Sequence, residues 1–404
     1  MDEPKHPSVS QRVHGQDSDD FSLPQIPDGD VVPPAFHHTG GNKLSLWQRK
    51  KHWIVTHKKL SIILAVVIVL ILVGGGVALY YLLNPKAPAP AIKLPLVSTP
   101  APQEPVKPKY YSPLTGREVA DEGATHRSVT GIMIENSPSA RPQSGLNDAG
   151  VVFEAIAEGG ITRFATLYQD TAPKLIGPVR SIRPYYLDWM AGFDATIVHV
   201  GGSANALKEV RNGQYKDADE FFNGGYFWRA TDRYAPHNVY TSFQNMDKLN
   251  ADKGYVSSSF TGWPRKEDAP PTNPNASKID IIISSATFNV HYDFDKGCDC
   301  YDRYIGGEKQ LDRETGQNAK PKVVIAMKVP THIGLEDGYR EQMSDLGNGT
   351  AYIFQDGTVT IGTWDKPDKK NPLKFKNDKG EEIKLNRGQT WISVTAPEQS
   401  VTWQ

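Results

Sequence analysis

Cysteine is almost absent from the chain: Cys298 and Cys300, in GCDCYD, are the two among 404 residues. A disulfide framework is thereby excluded, and the pair can only close one small ring or remain two thiols. As a metal site it needs two further ligands and has only His291 nearby, so no metal ion is expected. Charge of one sign is lacking too. Lysine plus arginine number 45 against 46 for aspartate plus glutamate, which leaves no chain-wide field for nucleic acid, and none is expected as a partner. Nucleophile elbow, Walker loop, zincin motif and zinc-finger spacing are all missing, and EGGITR at Glu158 is not a dinucleotide fingerprint. No cofactor is expected.

One long hydrophobic run is present. LSIILAVVIVLILVGGGVALYYLL, Leu60 to Leu83, carries no charge over 24 residues, more than the roughly 20 that cross a bilayer as a helix. Lys43, Arg49, Lys50, Lys51, Lys58 and Lys59 precede it, whereas Lys86 alone follows closely. This bias places the N-terminus in the cytoplasm and the C-terminal part outside, with the bilayer as a partner through residues 60–83. Trp47 and Trp53 on one flank and Tyr80 and Tyr81 on the other suit the interfaces. A cleaved signal peptide is the alternative, with small residues around Ala89, but the run is long and the preceding tail atypical. No cysteine directly follows the run, so lipid attachment there is not expected. Residues 1–59 read as a disordered cytoplasmic tail ending in a basic juxtamembrane segment, and residues 84–111 as a Pro-rich extracytoplasmic linker.

The pattern turns globular from residue 112. VTGIMIEN reads as a strand, and VVFEAIAE and ITRFATLYQD flank Gly159-Gly160 as a hairpin, although a helix over the first is also compatible with so short an apolar run. With Glu158 opposite Ile161, Ile156 opposite Arg163 and Glu154 opposite Ala165, one face carries Glu154, Glu158 and Arg163. The other then carries Val151, Phe153, Ala155, Phe164 and Tyr168. IGPVRSIRPYYLDWMAGF reads as a proline-stiffened loop and short helix, and DATIVHVGGSANALKEVRNG as strand, turn and helix, with Ser203 as N-cap and Gly213 as terminator. The first ectodomain, 112–262, is therefore mixed α/β. A linker spans 263–278, and 279–404 reads as a mostly β domain. The fold class expected is α+β, preceded by one transmembrane helix.

Several residues are candidates for chemistry. Glu154 and Glu158 on one face permit glycosidase-type acid/base work, with Glu158 as general acid and Glu154 as its partner; an ion pair with arginine is the plain alternative. His199 precedes a Gly-Gly-Ser turn whose Ser203 opens a helix, and His237 sits in a loop beside Asn238. Either histidine could position substrate. Arg163, Arg180, Arg183, Arg229 and Arg233 could grip carboxylate or phosphate bidentately, or pair internally. The cluster FFNGGYFW, Phe221 to Trp228, could stack sugars or simply pack.

YSPLTG at Tyr111, ARPQSGLNDAGVVFEAIAEGGITRF at Ala140, IGPVRSIRPYY at Ile176, HVGGS at His199 and RYAPHN at Arg233 resemble the YerB-like family of bacterial envelope proteins. DRYIGGEKQLDRETG, DGYR, GTAYIFQDGTVTIGTW and IKLNRGQTWI extend the resemblance into the second half. It covers about 112 to 397 and implies a two-domain architecture outside the membrane, but no reaction, since the family's function is unknown. Members are often lipoproteins held by an N-terminal cysteine, from which this chain departs. The reading that results is a membrane-anchored envelope protein that binds an anionic wall polymer or glycan. A glycan-modifying hydrolase or transglycosylase, and a structural partner of an envelope complex, are the alternatives.

Overall fold

A helix that is apolar on every face is kept from water only inside a large core or within a membrane. The computed structural model describes residues 58–84, 108–334, 338 and 340–404, and in it Lys58–Leu83 form one helix, α1, whose described side chains are exposed. Its segment Ile62–Leu83, with mean hydropathy 3.1 over its most apolar window, is long and apolar enough to cross a membrane. The tail, Trp47, Trp53 and most of the Pro-rich linker lie outside the described residues. Two compact units are distinguished, 1–102 and 103–404.

In the second unit the strands of the two larger sheets are β1 Thr130–Glu135, β2 Val151–Glu158, β3 Ile161–Tyr168, β4 Thr196–His199, β5 Lys216–Asp219, β6 Lys278–Ile281, β7 Val290–Asp295, β8 Cys300–Ile305, β9 Glu308–Lys309, β10 Val323–Lys328, β11 Gly347–Gln355, β12 Thr358–Lys366, β13 Lys374–Lys376, β14 Thr390–Thr395 and β15 Val401–Trp403. The main helices are α2 Pro184–Ala191, α3 Ala204–Val210 and α4 Phe243–Asp252. A ten-stranded sheet runs β13-β12-β11-β10-β14-β2-β3-β1-β4-β5, and a five-stranded sheet runs β9-β8-β7-β6-β15. The α+β class stands, with the helices in the first half and mostly strands in the second.

The two halves share the large sheet. Thr390–Ser393 of β14 pair in parallel with Val151–Glu154 of β2, so the backbone ladder passes from one half to the other. Strands in the middle of such a sheet are covered on both faces, and β1, β10 and β14 have every residue buried. One face packs Phe153, Ala155, Ile325, Met327 and Ile392 against Trp189 and Tyr186 of α2. On the opposite face, Phe164, Tyr168 and Trp391 meet Phe243, Met246 and Leu249 of α4, while Val324, Ala326 and Phe354 meet the five-stranded sheet. The expected linker 263–278 is tied into this body: Trp263 is buried, its Nε1 donating to the Leu373 carbonyl at 2.6 Å, and Arg265–Lys266 pair with Leu385–Asn386.

The hairpin forms as expected at Gly159-Gly160, both at positive φ, but its register needs correction. Glu158 does face Ile161; beyond it a β-bulge leaves Ala157 without a partner, and Ile156 faces Thr162, Ala155 faces Arg163 and Glu154 faces Phe164. One extra residue on one strand exchanges the faces of everything beyond it. Glu158 and Arg163 therefore share a face with Ala155, Phe153 and Val151. Glu154 points to the other, with Phe164 and Tyr168.

Candidate functional site

Strand β3 runs antiparallel to both β1 and β2, and β1 runs parallel to β4, as β4 does to β5. The carboxyl ends of β1, β2, β4 and β5 thus lie on one edge, bringing Glu135, Glu158, His199 and Asp219 there together. Ligand sites of open α/β sheets favour this edge. The segment 176–183 crosses it, with Arg180 N donating to the Met133 carbonyl at 2.9 Å and Val200 N donating to the Arg180 carbonyl at 3.1 Å. Arg180 and Arg183 are carried in on this strap.

Arg163 and Arg183 are used internally. Both are buried, and both bond Glu158: Arg163 Nη2 at 3.2 Å from Oε1, and Arg183 Nη2 on Oε2. Arg340 Nε adds a third contact at 3.2 Å. Arg163 Nη1 also donates to the Ser181 carbonyl, and Arg183 Nη1 to that of Ile182, each at 2.8 Å. Burial pushes the Glu158 carboxyl up, but the Arg163 and Arg183 charges and the hydrogen bonds from Arg183 and Arg340 outweigh it and hold it at about 2. A carboxyl so held has no proton to give at neutral pH. Glu154, on the other face, is fully buried, with Arg303 Nη2 at 2.5 Å from its Oε2 and Asn136 and Thr162 on its Oε1. The shared face on which the two-carboxylate arrangement depended does not exist.

His199 is also satisfied. Its Nδ1 lies 2.8 Å from the Gly201 carbonyl and its Nε2 2.9 Å from Asp217 Oδ1, with the ring fully buried. Neither nitrogen is presented to a ligand. Ser203 stands at the N-cap of α3 without a side-chain capping bond, its hydroxyl buried and unpartnered.

His237 is different. Its Nδ1 is 2.8 Å from Glu135 Oε2, and Arg180 Nε reaches the same oxygen at 3.3 Å. Ser137 donates to the other Glu135 oxygen at 3.0 Å. Glu135 is buried while His237 is a quarter exposed, so the carboxylate orients the ring and leaves Nε2 outward. Arg233 ties this loop to the one above β1, donating to the carbonyls of Ser139 and Pro142 at 3.4 and 2.6 Å. Arg229 reaches Asn238 Oδ1 at 3.3 Å and Glu220 at 3.4 Å, both on the surface. The structure thus brings Arg180, His237, Arg233, Arg229 and Asn238 into one surface region and turns Arg163, Arg183, Glu154 and His199 inward. Sequence reasoning missed Glu135, the hub of the group. Its place as the last polar residue of an apolar strand was the available signal.

Beside this loop the ribbon Trp228–Arg229 and Val239–Tyr240 borders a groove of about 400 Å³. Trp228, Arg229, Asp232, Tyr240, Leu175 and Arg313 line it. Trp228 is 39% exposed, and Arg313, from the second half of the chain, pairs with Asp232 and donates to Tyr240 Oη at 3.3 Å. Of FFNGGYFW, Phe227 is buried and Phe221 and Phe222 stand in solvent; within this cluster Trp228 is the residue that lines the groove. A larger cavity, about 780 Å³, opens at the opposite edge near Asp194 and Lys216, but Lys216 is engaged there by Asp194 and the Ser257 carbonyl, and none of the candidate residues is near it.

Comparison with known proteins accounts for most of residues 114–392. Residues 114–256 match the N-terminal domain, and 279–392 the C-terminal domain, of the family described as "Protein of unknown function (DUF3048)". The Bacillus subtilis (strain 168) protein described as "Putative lipoprotein YerB" is 35% identical over 292 residues, 71% of this chain and 86% of that one. The crystal structure of YerB from Bacillus subtilis superposes with a TM-score of 0.65 at 32% identity, covering 73% of this chain and all of that one. The chain belongs to the YerB-like family, with two DUF3048 domains and no known function.

Proposed function

We propose that this envelope protein binds an anionic glycan or polymer of the cell wall, and that the Trp228 groove holds it. The groove itself carries the reading. A half-exposed indole offers a flat apolar face to the C–H surface of a sugar ring, Arg229 and Arg313 offer planar guanidinium donors to carboxylate or phosphate, and Asp232 accepts from hydroxyls. The membrane helix and the YerB relative's description as a lipoprotein support a place at the membrane surface. The lysine-rich flank before α1 supports a single pass with the N-terminus inside; protease added to intact cells should then remove residues 108–404 and spare the tail.

The test is co-sedimentation of the full chain with purified wall fractions at low salt. Trp228→Ala and Arg313→Ala should each weaken binding by about tenfold or more, the scale of a central contact, and no sedimentation of the wild type sinks the proposal. The hydrolase reading keeps one feature, the Glu135-held His237 with Nε2 open as a proton acceptor. Muropeptide release by wild type and not by His237→Gln would favour it.

A further inference from the structure

Strand β7 turns into β8 through Asp295-Lys296-Gly297-Cys298-Asp299-Cys300, so both cysteines of the chain lie in one turn. They are joined as a disulfide two residues apart, with Cα atoms separated by 5.2 Å. A ring that closes three residues takes little freedom from the unfolded chain, because stabilisation by this route grows with loop length. The β7–β8 ladder, paired from Val290↔Ile305 to Asp295↔Cys300, already holds the turn. Stapling is thus a poor account of the bond. Asp299, inside the ring, is kept at φ +48°, a left-handed conformation that residues with a Cβ seldom adopt.

A carboxylate oxygen of Asp295 and the two sulfurs all lie within 4.8 Å of one another. The Asp295 carboxylate is fixed there by the Gly297 N–H at 2.8 Å and Lys320 Nζ at 3.0 Å. His291, the histidine nearest the pair in sequence, is taken up by Asp280 and Asp293 at 2.8 and 3.1 Å. Asp295 is the third donor. Cys300 is 3% exposed, whereas Cys298 is only partly covered, so a thiolate from outside meets Cys298 first.

We propose that this turn is a reducible switch whose dithiol state binds a thiophilic divalent ion through Cys298, Cys300 and Asp295. The reductant is a low-molecular-weight thiol. Its thiolate attacks Sγ of Cys298, the S–S bond breaks, and Cys300 leaves as a thiolate that takes up a proton. A second thiolate attacks the external sulfur of the mixed disulfide and releases Cys298, so two thiols become one disulfide and the protein gains two electrons and two protons. Ion binding then displaces the two thiol protons. Two thiolates and a carboxylate carry three negative charges and the ion returns two. Lys320, and Lys322 whose Nζ donates to the Cys298 carbonyl at 2.6 Å, face the remainder. Three protein ligands and a water complete the tetrahedron that zinc or cobalt(II) prefers.

The experiment equilibrates the full chain in detergent with millimolar glutathione, removes the thiol without oxygen, and titrates cobalt(II) and zinc. Reduced protein should take up about one ion per chain with thiolate-to-cobalt absorption, and the oxidised protein none. Cys298→Ser should abolish this uptake, and Asp295→Ala should weaken it by about tenfold or more while leaving the melting temperature of the metal-free protein unchanged. The proposal is overturned if glutathione opens the disulfide only when the chain is unfolded, if the folded reduced chain binds no more ion than the oxidised one, or if Asp295→Ala binds as tightly as wild type.

Discussion

Arg303→Met should be among the most damaging single substitutions in residues 103–404, and the reason lies in Glu154. The two side chains are fully buried and 2.5 Å apart, one from β8 of the second half and one from β2 of the first. The Arg303 guanidinium also lies 4.1 Å above the Trp391 ring and donates to Tyr292. Methionine keeps much of the volume and removes the charge, leaving an ionised Glu154 with only Asn136 and Thr162. Stranding a buried charge in this way costs about 3–5 kcal/mol, a large part of the roughly 5–15 kcal/mol that holds a folded body together. At about 2–4 °C per kcal/mol, melting should fall by roughly 6–20 °C. Removing both charges in Glu154→Gln/Arg303→Met should restore most of the loss, because the desolvation cost of the pair disappears with it. Thermal unfolding of the full chain in detergent, followed by tryptophan fluorescence, reads both variants. A single variant within about 1 kcal/mol of wild type, or a double variant as unstable as the single, refutes the reasoning.

Two pH dependences follow from other shifted carboxyls. Glu158 is held at about 2 against an ordinary 4.5, so its contribution is complete above about pH 5 and is lost as pH falls from 4.5 through 2. Glu158→Gln should therefore cost about 2–3 kcal/mol at pH 7, toward the lower figure given its partial exposure, and nothing near pH 2. Asp188 is pushed the opposite way, to about 7 from 3.8, first by burial and then by Asp345. Its proton is kept on folding and released on unfolding, so stability falls as pH rises from about 4 through 7. Asp188→Asn should gain about 2–4 kcal/mol at pH 8 and nothing at pH 3.5, a difference that denaturant midpoints at the two values measure.

Local elements were legible in the sequence because their signals are local. Gly159-Gly160 marked the hairpin, and the prolines at 178 and 184 marked the strap and the start of α2. The strand at Thr196–His199 and the helix at Ala204–Val210 formed where the pattern put them. The hairpin's faces were not legible, since the bulge at Ala157 is a single unpaired residue with no turn chemistry to announce it. Nor was the union of the two halves, because pairing Thr390 with Val151 joins residues some 240 apart through generic β-branched and aromatic runs. The same non-locality hid the arginines' partners. Arg303 for Glu154 and Arg340 for Glu158 come from the far half of the chain, and Glu158 meets Arg183 from 25 residues away. Arg180 was the partial exception, its Glu135 also distant in sequence but its contact only through Nε.

The central claim is that a wall glycan is held in the Trp228 groove rather than by the buried arginines. Hydrogen exchange of the full chain, with and without soluble wall fragments, tests it most directly. Protection concentrated at residues 226–232, 239–240 and 311–315 is the predicted result; protection confined to other segments, or none at saturating fragment, contradicts it.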